Sequence, residues 1–409
     1  MDPKLGGVCQ AVRTIIAGLQ GLHYSNEVVC LDNPGSSFLE TDAFPVHALG
    51  RGKGPWSYSP HLKGWLKENL SRFDVVVLHG LWLYCGYALH KAMRLYKMRH
   101  GHDRAPKLCI MPHGMLDPYF QKAAGRKIKA LRNWAYWHLI EARVVNGVDG
   151  LLFTCSEELR LAHESFGSYH PRQPKVVGLG VEEPFPYTHS MQSAFLEHCP
   201  GLKQEPYLLF LGRIHEKKGV DILIKAYAEI VRQHAFQRSG RLSVVNNSAG
   251  EALVQEECHD VPKLVVAGPG LTTPFGGHMQ QMVAELGLQD QVLFPGMLSG
   301  DAKWGAFYGS QAFILPSHQE NFGIAVAEAL ACHKPVLLSN QVNIWKEIEQ
   351  EGGGIIADDT LEGTKRLLNS WIYSSAEQKL QMASNAYAAY EKHFEVGQAA
   401  KNFASAICL

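Results

Sequence analysis

Pro316-Ser317-His318-Gln319-Glu320-Asn321-Phe322-Gly323-Ile324-Ala325-Val326-Ala327-Glu328-Ala329 sets two carboxylates eight positions apart, either side of a glycine that opens an apolar-periodic run. The residues before it, Ala312-Phe313-Ile314-Leu315-Pro316, read as a short buried strand, and those after Gly323 as a helix. Glu320 then lies in the connecting loop and Glu328 one to two turns inside the helix. A helix start at Phe322-Gly323 offers unpaired backbone N–H groups and the positive end of a dipole, a setting that suits a diphosphate. In that setting Glu320 hydrogen-bonds a sugar beside the anion, with Asn321 alongside, and Glu328 accepts from a ribose hydroxyl deeper in the groove. The spacing fits a plain strand–loop–helix unit with two solvated glutamates equally well.

A second loop has the opposite charge. Tyr207-Leu208-Leu209-Phe210-Leu211 reads as a buried strand running into Gly212-Arg213-Ile214-His215-Glu216-Lys217-Lys218-Gly219, followed by a helix over Val220 to Val231. Arg213 and Lys218 flank this loop, where cations clamp phosphate oxygens. Either cation alone is ordinary for a surface loop. The cationic loop followed about a hundred residues later by the Glu-(seven residues)-Glu unit is a more specific pattern.

Strand-like runs alternate with helical ones along the whole chain. Val28–Leu31, Val75–Leu78, Leu108–Met111 and Leu151–Thr154 fall in the first half. Leu264–Ala267, Val292–Phe294, Ala312–Leu315 and Pro335–Leu338 fall in the second. That rhythm predicts an α/β protein with parallel sheets covered on both faces, built as two Rossmann-like domains. The domains are placed at 1–186 and 205–386. Ligands of such sheets bind beyond the carboxyl ends of the strands, so a cleft between the two domains is the expected site. Ser239-Gly240 to Asp260, rich in Ser, Gly and Asn, breaks the rhythm and reads as a surface insertion.

The 409 residues suffice for two cores, and 46% of them are hydrophobic. Thirty-nine Lys and Arg balance thirty-nine Asp and Glu, so global charge argues for neither nucleic acid nor an acidic partner. Nine cysteines are scattered without Cys-x-x-Cys pairs. Cys30, Cys109 and Cys155 sit in apolar strand patterns and read as core residues, and an odd count without a framework fits a reducing cytoplasm. No apolar run is long enough to span a membrane, and no signal-peptide pattern opens the chain.

Gly212-Arg213 through Lys218-Gly219, Gly268-Pro269-Gly270, Phe294-Pro295-Gly296-Met297 and Glu320 through Glu328 resemble, in order and spacing, the blocks of family-four retaining glycosyltransferases. The first half adds Leu5-Gly6-Gly7-Val8, Met111-Pro112-His113-Gly114-Met115-Leu116-Asp117-Pro118 and Phe153-Thr154-Cys155-Ser156-Glu157-Glu158. The Pro-His-Gly block and Val342-Asn343-Ile344-Trp345-Lys346-Glu347-Ile348 are similar to members that build bacterial surface polysaccharides.

The resemblance implies the glycosyltransferase-B architecture, with an acceptor-side first domain and a nucleotide-sugar-binding second domain. The last helix, within 387–409, packs back on the first domain. It also implies retention of configuration by a front-face route, in which the leaving phosphate takes the acceptor's proton. A nucleoside-diphosphate sugar is the donor, a glycan or lipid-linked molecule the acceptor, and no cofactor is required. Donor contacts are expected from Gly7, Arg213, Lys218, Asn321, Phe322, Gly323 and Glu328. Glu320 is expected to position the donor sugar. A lone strand-end histidine is more often structural, but the resemblance places His113 beside the reacting sugar; His79 is a second strand-end histidine that could line the acceptor side.

The chain has no Asp-x-Asp, the pair many metal-dependent transferases use, and two cations with a helix end supply the needed positive charge. Two rival readings are a nucleotide-sugar 2-epimerase, which should lack the Arg-Lys and Glu-Glu pairing, and a non-catalytic subunit that keeps the fold. Lys122, Arg126 and Lys129 share helical spacing, with Lys127, Arg132, Trp134 and Trp137 nearby. This is either a solvated basic face or a contact for anionic membrane or a lipid-diphosphate acceptor. Gly6-Gly7 follows Met1 too closely for the strand that normally delivers this loop. The first sheet is therefore expected to lack a central strand, as it would if the true start lay upstream.

Overall fold

The computed structural model describes residues 1–2, 7–122, 127–203, 205–244 and 260–408, without side chains for 238–244. The chain divides into two compact units, one of residues 1–182 with 393–409 and the other of 183–392.

Unit 1 contains β1 (Val28–Cys30), β2 (Val46–Ala48), β3 (Val75–His79), β4 (Lys107–Met111), β5 (Gly150–Phe153) and β6 (Pro174–Val176). All pair in parallel, but in two sheets: β1-β2, and β3-β4-β5-β6. The interruption expected of the first sheet is thus present among the described residues, with β1 and β3 each paired on one side only. β1 and β2 are half-buried, whereas β5 is wholly buried. The Gly7–Gly21 helix turns Val12, Ile15, Ile16 and Leu19 inward, and the Val396–Ile407 helix packs against it.

Unit 2 holds β7 (Tyr207–Leu211), β8 (Lys263–Ala267), β9 (Val292–Gly296), β10 (Ala312–Leu315), β11 (Val336–Ser339) and β12 (Gly354–Ala357). They form one parallel sheet in the order β12-β11-β10-β7-β8-β9. The near-continuous apolar runs of β7, β8, β10 and β11 are buried, as expected of a sheet covered on both faces. From β7 the chain winds outward to β9, then returns to lay β10 on the other side of β7. The reversal makes the β7/β10 seam the topological switch point, where doubly wound sheets open a crevice at their carboxyl ends.

Each strand foreseen in the sequence is present, with ends shifted by a residue or two. β2, β6 and β12 were not foreseen, being only three or four residues long and half-buried or exposed, too short for a hydrophobic period to register.

Two expectations need correction. The helix after Gly219 runs from Val220 to Val244 rather than ending at Val231, so it passes through Ser239-Gly240, where an insertion was expected; residues 245–259 of that insertion lie outside the described residues. Lys122 and Lys129 do not share one helix. Lys122 ends the Tyr119–Lys122 turn, Lys129 belongs to the Lys127–Tyr136 helix, and Arg126 lies outside the described residues.

Candidate active site

The Gly212–Gly219 loop follows β7 and the Pro316–Gly323 loop follows β10, so the switch point itself brings the two sequence motifs together. Their backbones meet closely. A Cβ on Gly219, whose φ is +66°, would lie 2.1 Å from the Pro316 carbonyl oxygen. On Gly268 (φ +138°) it would lie 1.9 Å from the carbonyl oxygen of Gly212. Only glycine fits either place. Ser317 ties the loops further, its Oγ donating to the Lys217 carbonyl at 2.9 Å, while the His318 N–H donates to the same oxygen at 2.8 Å. Lys217 itself reaches Gln319 Oε1 at 2.6 Å.

Within this frame Lys218 and Glu320 form a direct ion pair. Burial, then the charges of Lys217 and Arg213, press the Lys218 ammonium down to about 7; the Glu320 carboxylate in contact with it opposes that shift. Arg213 is exposed and, among the described residues, makes no ion pair or hydrogen bond. The Glu320 backbone is held on both sides. Its N–H donates to Gln341 and its carbonyl accepts from Asn343, each at 2.9 Å. The Val342–Ile348 motif therefore fixes where the Glu320 side chain starts.

Gly323, at φ +78°, is the N-cap residue of a helix over Ile324–Ala331 and itself supplies no side-chain cap. Phe322 is buried beside it. Glu328 lies in the second turn of that helix, its side chain only 12% exposed, and this desolvation raises its pKa. Lys303 counters the rise, donating to Glu328 Oε1 at 2.6 Å. The Lys303 ammonium also sits 4.4 Å from the Trp304 ring centroid. Lys303, in the Gly300–Gly309 helix, was not foreseen: its neighbours form no motif, and only the fold brings it to Glu328.

In unit 1, β3 and β4 end side by side in register, His79 opposite Met111. His79 Nδ1 and His113 Nε2 are 2.9 Å apart, so one ring donates and the other accepts. Burial lowers the pKa of both, to about 4 for His79, and in His113 the neighbouring His79 adds to the effect. Both are neutral at pH 7. His113 has φ +53° and Gly114 φ +77°. Glu158, buried after β5, holds this turn by accepting from the Gly114 N–H, with its other oxygen taking the Thr154 N–H at 2.7 Å and hydroxyl at 2.6 Å. Gly7 is the exposed first residue of the Gly7–Gly21 helix.

Sequence reasoning missed a second buried carboxyl. Glu141 closes a π turn over Trp137–Glu141, and its Oε1 accepts the Trp82 N–H at 3.3 Å. Its Oε2 has no partner among the described residues, and burial raises its pKa to about 7.

The model of "Glycosyl transferases group 1" matches residues 200–389, and that of "Glycosyl transferase 4-like domain" matches residues 6–180. A D-inositol 3-phosphate glycosyltransferase of Acidothermus cellulolyticus is 27% identical over 220 residues, covering 53% of this chain and 44% of that protein. The chain spans less than half the length of the curated relatives it matches. Among solved structures, Anabaena Alr3699/HepE in complex with UDP superimposes with a TM-score of 0.72 at 16% identity, covering 98% of this chain and 96% of that one. WaaG, described as a glycosyltransferase involved in lipopolysaccharide biosynthesis, gives 0.64 at 15% identity, with 98% and 96% covered. These likenesses establish the glycosyltransferase-B fold. With one family model matching residues 6–180 and the other residues 200–389, the chain belongs to the group 1, family-four-type glycosyltransferases.

Proposed function

We propose that the protein is a retaining glycosyltransferase that moves a sugar from a nucleoside-diphosphate sugar to a glycan or lipid-linked acceptor in polysaccharide biosynthesis, without a divalent metal. The observation that carries this reading is the meeting of Lys218 and Glu320 at the switch point, beside exposed Arg213 and the start of the Ile324–Ala331 helix. Arg213, Lys218 and the helix N–H groups stabilise charge developing on the leaving diphosphate. In the free protein Glu320 neutralises Lys218. Donor binding hands the ammonium to the phosphates and releases Glu320 for the sugar hydroxyls. The bond from the anomeric carbon to the phosphate oxygen breaks as the bond to the acceptor oxygen forms on the same face. The leaving phosphate takes the acceptor's proton. Glu328, steadied by Lys303, receives the ribose hydroxyls, and His113 has the role the family resemblance gives it, contact with the reacting sugar.

The uridine nucleotide in the Anabaena neighbour makes UDP the first probe. Calorimetry should show Arg213→Ala and Lys218→Ala each weakening UDP binding about tenfold or more, at roughly 1.5–3 kcal/mol per charge-assisted contact, with uridine affinity unchanged. Unchanged UDP affinity in both variants removes the phosphate role. Turnover of the donor should persist in EDTA. Loss of turnover restored by magnesium removes the metal-independent reading.

A further inference from the structure

A helix on the surface of a globular protein turns its apolar stripe inward. The Lys127–Tyr136 helix does the reverse. None of its residues is buried; Ile128 is 87% exposed, Leu131 68% and Trp134 54%. Leu139, in the π turn that continues it, is 70% exposed. The tryptophan that does serve the core is Trp137, wholly buried and stacked on Phe166 at 4.3 Å, which corrects its expected place at an interface. Lys127, Lys129 and Arg132 are exposed among these apolar residues, and no Asp or Glu occurs from Pro118 to Ile140.

The overall neutrality of the chain conceals how its charge is divided. Residues 1–182 with 393–409 hold 23 Lys and Arg against 16 Asp and Glu, and residues 183–392 hold 16 against 23. The exposed apolar helix lies on the cationic unit.

We propose that this helix face is a docking surface for an anionic lipid bilayer. Ile128, Leu131 and Leu139 enter the boundary between headgroups and acyl chains, Trp134 sits at headgroup level, and Lys127, Lys129 and Arg132 meet the anionic headgroups. A second copy of the chain fits the face less well, because a two-fold contact sets like cations against each other. The surface is independent of donor binding, so the two readings stand or fall separately.

The test uses the full chain, without nucleotide, sedimented with vesicles of phosphatidylcholine alone or mixed with phosphatidylglycerol. Wild type should pellet with the anionic vesicles at low salt and remain in the supernatant with the neutral ones. The triple variant Lys127→Gln, Lys129→Gln, Arg132→Gln should lose on the order of a hundredfold in partitioning, from about fivefold per cation. High salt should cause a similar loss. Ile128→Ser with Leu131→Ser should lose roughly tenfold while melting at the wild-type temperature, since both side chains are exposed. Wild type that stays in the supernatant with anionic vesicles overturns the proposal, as does either variant pelleting like wild type. A dimer in analytical sedimentation that the same substitutions dissolve assigns the face to a second copy and also overturns it.

Discussion

The two units share a parallel α/β plan but hold their loops by different means. In unit 2 the loops at the switch point are locked backbone against backbone, through glycines at which no side chain fits. In unit 1 the corresponding turns are held by titratable side chains, two of them buried: Glu158 on the Gly114 turn and Glu141 on the Trp82 turn, with half-buried His79 on His113. Among the described residues, unit 2 forms one six-stranded sheet, whereas unit 1 divides its strands between two. The backbone contacts that lock the unit 2 loops depend on geometry and hardly on pH, and the titratable part of that site is the Lys218–Glu320 pair carried on them. Loops held by buried ionisable groups inherit the protonation of those groups.

The largest effect should come from unit 2. Gly268→Ala adds a methyl group that the Gly212 carbonyl cannot admit, so about 3 kcal/mol or more of stability should be lost in urea unfolding. Gly277→Ala, where the added Cβ meets nothing, should be neutral or slightly stabilising. Equal behaviour of the two variants would break the claim of backbone locking.

The next effect belongs to unit 1. Glu141 has a folded-state pKa of about 7, above its ordinary value, so between those two pH values the native state keeps a proton that the unfolded state has released. Stability contributed by this group is therefore present at low pH, declines as pH rises toward 7, and is flat above it. Tyr136 and Cys85 feel the Glu141 charge, and burial raises the pKa of each, to about 11 for Cys85. They stay neutral throughout this window. The stability difference between wild type and Glu141→Gln should change by roughly 3 kcal/mol over that range, read from urea melts at successive pH values. Parallel pH profiles for the two proteins would show that Glu141 does not titrate there.

The smallest effect tests a contact within unit 2. Lys303→Ala leaves the largely desolvated Glu328 carboxyl without its cation, and should weaken binding of uridine and UDP alike, about tenfold. Glu328→Gln combined with Lys303→Ala should lose little more than either alone, because the two act as a pair. Full additivity would separate them.

The order of the elements could be read from the chain because periodicity and turn residues are local properties. Long apolar runs such as Tyr207–Leu211 and Ala312–Leu315 declare buried parallel strands, and Gly219 and Gly323 mark the turns that follow. The motif residues Arg213, Lys218, Glu320 and Glu328 could likewise be read as a set. Their arrangement could not. Lys218 and Glu320 were assigned to different parts of a donor, and only the reversal of strand order at β7 and β10 sets them in contact. Lys303 reaches Glu328, and His79 reaches His113, across elements distant in sequence. Exposure was hidden in the same way. Trp134 and Trp137 lie three residues apart in one basic stretch, yet one faces solvent and the other is sealed against Phe166. By itself the sequence determined which segments pair and curl, since that follows from the side chains along each one. Only the tertiary structure decided which charges meet and which apolar faces stay open, since both depend on what packs opposite, and local pattern does not encode that.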